Sequence, residues 1–361
     1  MGHPSRLRVI AVSYHVTWNR TWTRGISLSY RRGTGPSLSA ARPLTHSLTH
    51  HRKGIVVVRV FVTGATGYIG SAVVRELLEA GHQVIGLARS DSSAAALSAV
   101  GAQVHRGDLE DHDSLRAGAT VADGVVHAAN KHISETTDPA ARARIELDAV
   151  QAIGAALEGT GKPFVVTSGT MGLTLGRTGT EADVPDVAKL GAGALRVPTE
   201  QAAIAMGERG VRSAALRLAP LVHGKGDHRG FVPALIGVAQ AKGVSAYVGD
   251  GSNRWPAVHR LDAAHLYRLA LEGAPAGSRV HAVGDEGVPF REIAEAIGRR
   301  LNLPVAGIAA VDAGEHFGFL GPLVSLDTPA SSALTQRRLG WRPTRVPLIA
   351  DIEEGHYFDG M

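Results

Sequence analysis

Regular runs of apolar and polar positions begin abruptly at Ile55. Residues 55–62, IVVVRVFV, form a continuous β-branched run of the kind seen in parallel strands that are buried on both faces. A glycine-rich turn follows, and then residues 71–82, SAVVRELLEAGH, carry the amphipathic pattern of a helix. A second apolar run, QVIGL, comes at the spacing of a βαβ unit. The pattern therefore predicts an α/β fold with a doubly wound parallel sheet.

The first 54 residues lack this periodicity. Residues 1–55 contain nine Lys or Arg and no acid, and they are rich in Ser, Thr and His. Three explanations remain open: a start site set too far upstream, an organellar transit peptide, or a disordered tail. We favour the first, because Arg52-Lys53-Gly54 is what a translated ribosome-binding site would encode. We expect residues 1–54 to be disordered or a start-site artefact.

The charge of the chain depends on this basic leader. The chain has 38 Lys and Arg, and removing the nine in the leader leaves 29 against 33 acids, a net charge of −4 for residues 56–361. An acidic body without basic aromatic strips argues against nucleic acid as a partner. The absence of cysteine excludes disulfides, thiolate metal sites and a cysteine nucleophile. With no apolar stretch of 18 residues and no metal-ligand spacing, we expect a cytoplasmic protein that binds neither membranes nor metals.

The glycine-rich turn after the first strand predicts a dinucleotide site. Its glycines allow the backbone to turn tightly and to approach a pyrophosphate, whose charge is stabilised at the following helix N-terminus. The order strand, turn, helix supports this interpretation over an ordinary structural turn. The residues expected to contact the cofactor here are Gly64, Thr66, Gly67, Tyr68, Ile69 and Gly70.

The end of the second predicted strand indicates which dinucleotide is preferred. An NAD-selective site normally has Asp or Glu here, and residues 87–90 contain neither. Arg89 offers donors suited to a 2′-phosphate, and Ser90 adds a hydroxyl. The alternative is that Arg89 is a surface arginine paired with Asp91. We predict NADP(H) as the cofactor.

Two further strand ends extend the same predicted cleft. Asp108 and Leu109 follow the third strand, where an acid can meet the adenine amino group. Ala128 and Ala129 follow the fourth strand and are small enough to let a cofactor pass over the sheet edge. Ligands of open α/β sheets bind at the carboxyl ends of strands, so these contacts converge.

The motifs VFVTGATGYIGSAVVRELLEAGHQVIGLARS, GDL, VVHAA, VVTSG and VGDGSNRWPAVHRLDAAHLYRLAL resemble the extended short-chain dehydrogenases/reductases of the NAD(P)-dependent epimerase/dehydratase type. The resemblance covers about residues 56–345. It implies that residues 55–230 form an NADP-binding Rossmann domain. It also implies that residues 231–361 form mainly a small C-terminal substrate-binding portion, interleaved with the Rossmann sheet.

The same resemblance implies catalysis by a Tyr-x-x-x-Lys pair, an upstream Ser or Thr and an Asn. Ser168 matches the upstream hydroxyl, but Arg196 and Glu200 stand where the tyrosine and lysine are expected, and Asp148 takes the Asn position. No tyrosine lies between residues 169 and 220. These departures resemble the atypical branch of the superfamily, which binds NADP but has an eroded tetrad.

The eroded tetrad leaves two functions open. We favour an NADP(H)-binding oxidoreductase or epimerase-like enzyme acting on a small carbonyl or hydroxyl compound; the alternative is a noncatalytic NADP(H)-binding redox sensor. The catalytic candidates are Ser168, Arg196 and Asp148, with His132 and His223 as other replacements for the tyrosine.

The resemblance also raises expectations about substrate contacts and assembly. Arg254 and Trp255 could contact substrate, although Trp255 fits a core position equally well. Relatives pair two long helices, which would here be residues 139–157 and 198–209, so we expect a homodimer. The small residues expected to allow close helix approach are Ala149, Ala152, Ala155, Ala202 and Ala203.

Overall fold

The computed structural model describes residues 57–131, 138–173, 176–185, 187 and 191–359. The leader and His132 lie outside these residues. The strands are β1 (Arg59–Thr63), β2 (Gln83–Ala88), β3 (Gln103–Arg106), β4 (Gly124–His127), β5 (Pro163–Gly169), β6 (Arg212–Leu218), β7 (Leu221–His223), β8 (Ser245–Val248), β9 (Arg254–His259), β10 (Ser278–Ala282), β11 (Asp285–Pro289) and β12 (Val305–Ile308).

The described helices alternate with these strands. They are α1 (Tyr68–Glu79), α2 (Asp91–Ala99), α3 (His112–Val121), α4 (Pro139–Leu157), α5 (Val197–Ala205), α6 (Phe231–Lys242), α7 (Arg260–Gly273), α8 (Phe290–Leu301), α9 (Ala313–Phe317), α10 (Ala333–Leu339) and α11 (Leu348–Glu353). None of the helices in the described ranges combines the length and apolar character that a bilayer crossing requires.

Seven parallel strands form the central sheet in the order β10-β6-β5-β4-β1-β2-β3. The order reverses at β1, so chain connections run outward in both directions and leave a crevice at the carboxyl ends of β1 and β4. The predicted doubly wound Rossmann fold is confirmed.

Alternate residues of the same strands supply two separate cores, because successive side chains of a strand point to opposite faces. Val60 and Val62 of β1 pack in one core with apolar residues of α1 and α7. Phe61, between them, packs in the other core with residues of α3, α4 and α5. Both faces of the sheet are thus covered, which accounts for the continuous apolar run in β1.

A third core holds the C-terminal portion together. Trp255 packs edge-on against Phe231 and Phe290, and Phe290 packs against Phe317. The small sheets β11-β9-β7 and β12-β8 lie in this region. Trp255 is fully buried, so it serves this core and is not a substrate contact. Strand β10 and helix α7 follow residue 231 in the chain but belong to the central sheet and its covering layer.

Helices α4 and α5, the expected dimer helices, pack against one another within the chain. Ala149, Ala152 and Ala203 are buried in this packing, whereas Ala155 is exposed and Ala202 is half-buried. The small residues therefore serve mainly intrachain packing, and only Ala155 and Ala202 present surface to a second copy.

Candidate functional site

The glycine turn between β1 and α1 is a close-packed cradle. Gly64 has a φ of +67°, and a Cβ placed on it would lie 2.8 Å from backbone atoms of Ala128 and Ala129. A Cβ on Gly70 would lie 1.9 Å from the carbonyl oxygen of Gly64. Gly67 is the N-cap residue that precedes α1. Its backbone is extended, and no side chain caps the helix. The cradle leaves space beside its backbone, and the first amides of α1 have no side-chain acceptor. Both features suit a pyrophosphate.

Thr66 and Gly67 are exposed at this turn, and Ile69 is half-buried. The Tyr68 hydroxyl donates a hydrogen bond to the carbonyl oxygen of Gly224 at 2.9 Å. Burial, the largest effect, raises the pKa of Tyr68 above its ordinary value. Tyr68 is therefore a neutral structural contact between the turn and the C-terminal portion.

The carboxyl end of β2 places Arg89 in an exposed position. Ser90 caps α2, because its hydroxyl accepts a hydrogen bond from the amide of Ser93 at 3.2 Å. The carboxylate of Asp91 accepts a hydrogen bond from Arg106 at 2.6 Å. Asp91 is thus engaged by an arginine on the neighbouring strand.

Asp108 lies at the carboxyl end of β3 and is fixed in place. Its carboxylate accepts hydrogen bonds from Lys131 Nζ at 3.2 Å and from the amide of Glu110 at 3.1 Å. Burial opposes its ionisation, but these hydrogen bonds and the charges of Lys131 and Arg89 outweigh burial and lower the pKa of Asp108. Leu109, next to it, is buried. An ionised acid close to Arg89 is therefore part of this end of the crevice.

A buried carboxylate and an arginine form the centre of the substrate side. Glu146 of α4 is 1% exposed, and Arg196, at the start of α5, donates to it from Nε at 3.0 Å and Nη2 at 2.5 Å. Arg196 Nη2 also lies 3.4 Å from the carbonyl oxygen of Thr167. The amide of Asn130 donates to Glu146 at 3.4 Å. The Arg196 side chain as a whole is 41% exposed.

The hydroxyl of Ser168 belongs to a different cluster. It donates to Glu200 Oε2 at 2.7 Å, and Glu200 also accepts hydrogen bonds from Arg217 and Arg279. Burial, the largest single effect, opposes ionisation of Glu200, but the hydrogen bonds and charge of Arg217 together with the bonds from Ser168 and Arg279 outweigh burial and lower the pKa of Glu200. The hydroxyl of Thr170, two residues further on, is buried without a hydrogen-bond partner among the described residues. The end of β5 therefore carries the Ser168 hydroxyl, which is hydrogen-bonded to Glu200, and the Thr170 hydroxyl, which has no partner among the described residues.

His127 adds an unpaired polar atom to the same region. Its Nδ1 lies 3.0 Å from the hydroxyl of Thr63, and its buried Nε2 has no partner in the described part of the chain. Burial lowers the pKa of His127 to about 4, against a smaller opposing effect of Glu146. The imidazole is therefore neutral near pH 7. In the sequence, His127 stands out only as the end of a strand.

The family model for the NAD dependent epimerase/dehydratase family matches residues 60–284. The chain belongs to this family. Its members include epimerases, dehydratases and reductases, and the protein is an NAD(P)-dependent enzyme of this type.

Relatives of this epimerase/dehydratase family member differ widely in what is known of them. It is 48% identical to an uncharacterised protein of Schizosaccharomyces pombe, over 83% of this chain and 100% of the relative. It is 29% identical to UDP-glucose 4-epimerase of Streptomyces lividans, over 82% of this chain and 96% of the relative. Among solved structures it is similar to dTDP-glucose 4,6-dehydratase from Streptomyces venezuelae with NAD bound, with a TM-score of 0.66, 21% identity, and coverage of 82% and 95% of the two chains.

The catalytic candidate Asp148 does not contact Arg196 in this family member. Glu146, two residues earlier in α4, makes the ion pair with Arg196. Residues two apart on a helix point in different directions, so both acids cannot face the same partner. Glu146 lies on the buried stripe of α4 with Ala149, Val150 and Ile153, whereas Asp148 is half-exposed. An acid within an apolar helical stripe was the sequence signal that would have identified Glu146.

His223 and Arg254 are both engaged within the chain. His223 is buried, and its Nδ1 lies 3.0 Å from the carboxylate of Asp351 in α11. Arg254 donates to Asp327 from Nε at 3.0 Å and Nη2 at 2.9 Å. The structure therefore brings Ser168, Arg196 and the cofactor residues to one sheet edge, while His223 and Arg254 hold C-terminal segments.

Proposed function

We propose that the protein is an NADP(H)-dependent oxidoreductase acting on a small carbonyl or hydroxyl compound, with Arg196, at the position of the family's tyrosine, stabilising negative charge on the substrate oxygen. The observation that carries this proposal is the Arg196 guanidinium. Its Nε and Nη2 are held by the buried carboxylate of Glu146, Nη2 lies 3.4 Å from the carbonyl oxygen of Thr167 in β5, and the side chain is 41% exposed. A fixed cation at this place suits a developing oxyanion.

The glycine cradle, Asp108 and Arg89 are the residues that would hold the cofactor. A bound nicotinamide cofactor supplies or accepts a hydride. Arg196 would orient the substrate oxygen and stabilise its negative charge. The hydroxyl of Thr170, which has no partner among the described residues, is a candidate hydrogen-bond donor to the same oxygen, and the hydroxyl of Ser168 would become one by giving up its hydrogen bond to Glu200. An arginine does not release a proton near neutral pH, so the proton would come through a hydroxyl or water.

One observation argues against a phosphorylated substrate. Arg254, a candidate substrate contact, is neutralised by its two hydrogen bonds to Asp327. It therefore offers little free charge to a phosphorylated sugar. This distinguishes the proposal from the nucleotide-sugar chemistry named for the Streptomyces relative.

Replacing Arg89 with alanine should weaken NADPH binding roughly 10- to 100-fold, the range of a lost charge-assisted hydrogen bond, and leave NADH binding nearly unchanged. Fluorescence titration of both cofactors measures the two dissociation constants. Arg116→Ala is the control, because Arg116 is an exposed arginine that pairs with Asp113 on α3. Equal losses for NADPH and NADH would contradict the role of Arg89.

Replacing Arg196 with methionine should lower turnover roughly 100-fold or more while leaving cofactor affinity within about twofold, because a lost oxyanion donor acts on the transition state. We expect Ser168→Ala to lower turnover at least about tenfold, and Thr170→Val tests the second hydroxyl. A screen with NADPH against aldehydes, ketones, enones and nucleotide sugars identifies the substrate. Arg209→Met, at an exposed arginine paired with Glu158, is the matched control.

The second candidate is a noncatalytic NADP(H)-binding sensor. It is favoured by one observation: the family's lysine position holds Glu200, whose carboxylate is engaged by Arg217, Arg279 and Ser168. Tight NADPH binding with no turnover on any substrate class would select this candidate over the enzyme.

A further inference from the structure

Arg260 comes from the C-terminal half of the chain but lies beside the glycine cradle. It is the first residue of α7, and its guanidinium carbon lies 5.0 Å from the centre of the Tyr68 ring. Tyr68 is the first residue of α1 and directly follows Gly67. The guanidinium therefore stacks on the side chain of the first residue of the helix that follows the cradle.

No carboxylate of the described residues pairs with Arg260. Within the described ranges it makes no side-chain hydrogen bond or ion pair, although it is only half-exposed. Arg268, two turns along the same helix, donates to Glu76 at 2.7 Å and to Glu272 at 2.9 Å. The guanidinium of Arg260 stacks on the Tyr68 ring, and because no described residue uses its N–H groups in a hydrogen bond, they can donate to a bound anion.

The backbone around Arg260 holds the side chain in this place. Gly224 has a φ of +127°, and a Cβ on it would lie 2.8 Å from His259 Nε2 and 3.4 Å from Arg260 Cγ. The carbonyl oxygen of Gly224 accepts the hydroxyl of Tyr68. His259 caps α7 by accepting the amide of Leu261 at 3.2 Å. The close contact of Gly224 with both helix starts fixes Arg260 relative to the cradle.

The cradle itself lacks a positive side chain. Residues 63–70, TGATGYIG, contain no Lys or Arg. A helix N-terminus provides only about half a positive charge, whereas a dinucleotide pyrophosphate carries about two negative charges. Lys131, at the neighbouring strand end, is engaged by Asp108 and Glu110. A nearby cation would add to the attraction of the helix N-terminus for a pyrophosphate, and Arg260 contacts the first residue of this helix.

We propose that Arg260 binds the pyrophosphate of the dinucleotide cofactor and closes the cradle from the C-terminal portion. The inference rests on the cofactor of the proposed function but not on its reaction. It distinguishes two phosphate contacts: Arg89 serves the 2′-phosphate, and Arg260 serves the pyrophosphate.

Binding measurements with cofactor fragments test the proposal without any turnover. The probes are NADPH, NADH, ADP-ribose, which has the pyrophosphate but no 2′-phosphate, and adenosine 2′-monophosphate, which has the reverse. Arg260→Met should weaken the first three by a similar factor, roughly 10- to 100-fold, and leave adenosine 2′-monophosphate within about twofold. Arg89→Ala should weaken NADPH and adenosine 2′-monophosphate only. Calorimetric titration of the full chain gives each dissociation constant.

Two further variants separate this contact from a change in the fold. Arg268→Met removes a paired arginine from the same helix and should leave all four affinities unchanged. Arg260→Lys keeps the charge and should recover part of the pyrophosphate affinity. This variant also tests the proposal if Arg260→Met does not fold. Wild-type affinity of Arg260→Met for ADP-ribose, or an equal loss for adenosine 2′-monophosphate, would overturn the proposal. If Arg89→Ala lost its preference for NADPH while the Arg260 variants bound every probe normally, the proposed cofactor would stand. Only the role of Arg260 would be contradicted.

Discussion

Replacing Glu200 with leucine should lower the free energy of unfolding by about 3–5 kcal/mol, because it leaves a buried charge without its partner. Arg217 is fully buried, and it donates to Glu200 from Nε at 2.8 Å and from Nη2 at 2.6 Å. Arg279 donates to the same carboxylate at 2.9 Å. Urea denaturation followed by circular dichroism measures the change.

A surface pair of the same chemistry is the control for this prediction. Glu158 accepts hydrogen bonds from Arg209, and both side chains are about half-exposed. Glu158→Leu should shift the denaturation midpoint only slightly, because water already solvates both charges. The double variant Glu200→Leu/Arg217→Met should recover much of the lost stability by removing the stranded charge as well. Equal midpoints for the two single glutamate variants would show that the buried cluster contributes no special stability.

The cofactor half of the site was predictable because its signals are local. The glycine turn, the preceding apolar run and the following amphipathic helix lie within about 25 consecutive residues. The structure explains the glycines at Gly64 and Gly70 by backbone atoms that leave no room for a Cβ. Local spacing and the local contact of Gly70 with Gly64 therefore identify the turn, whereas the approach of Ala128 and Ala129 to Gly64 is a tertiary contact.

The substrate side was less predictable because its partners come from distant parts of the chain. Glu200 is joined by Ser168, Arg217 and Arg279, which lie on three different strands. Glu146 was missed because motif alignment pointed to Asp148, and the two-residue difference changes the face of α4. Strand alternation likewise directs Thr167 toward Tyr267 of α7 and Ser168 toward α5.

Arg260 was missed for a related reason. The segment NRWPAVHRLDAA resembles the family, and substrate contacts were expected only near its start, at Arg254 and Trp255. Strand β9 of this segment runs parallel to β7, and helix α7, which follows it, packs beside α1. That packing brings a residue from position 260 to a turn that ends at position 70. No periodicity or spacing in the sequence reports a contact of this kind.

Replacing Gly70 with alanine should weaken NADPH binding roughly 100-fold and lower stability by about 1–3 kcal/mol, the range for forcing an extra methyl into a packed site. The new Cβ would lie 1.9 Å from the carbonyl oxygen of Gly64 and 2.7 Å from its carbonyl carbon. These are backbone atoms and cannot rotate away. Gly64 cannot retreat either, because it already lies against the backbone of Ala128 and Ala129. Helix α1 must therefore shift away from the turn, and the cradle opens.

Gly237→Ala is the matched control for this variant. Gly237 is exposed in α6, and a Cβ there would meet nothing within 4 Å. The same change of residue should raise stability by about 0.5–1 kcal/mol through helix propensity and leave NADPH affinity unaltered. Thermal melts and NADPH titrations of both variants give the comparison. If Gly70→Ala bound NADPH as tightly as Gly237→Ala, the close contact between Gly64 and Gly70 would not be what shapes the cofactor site.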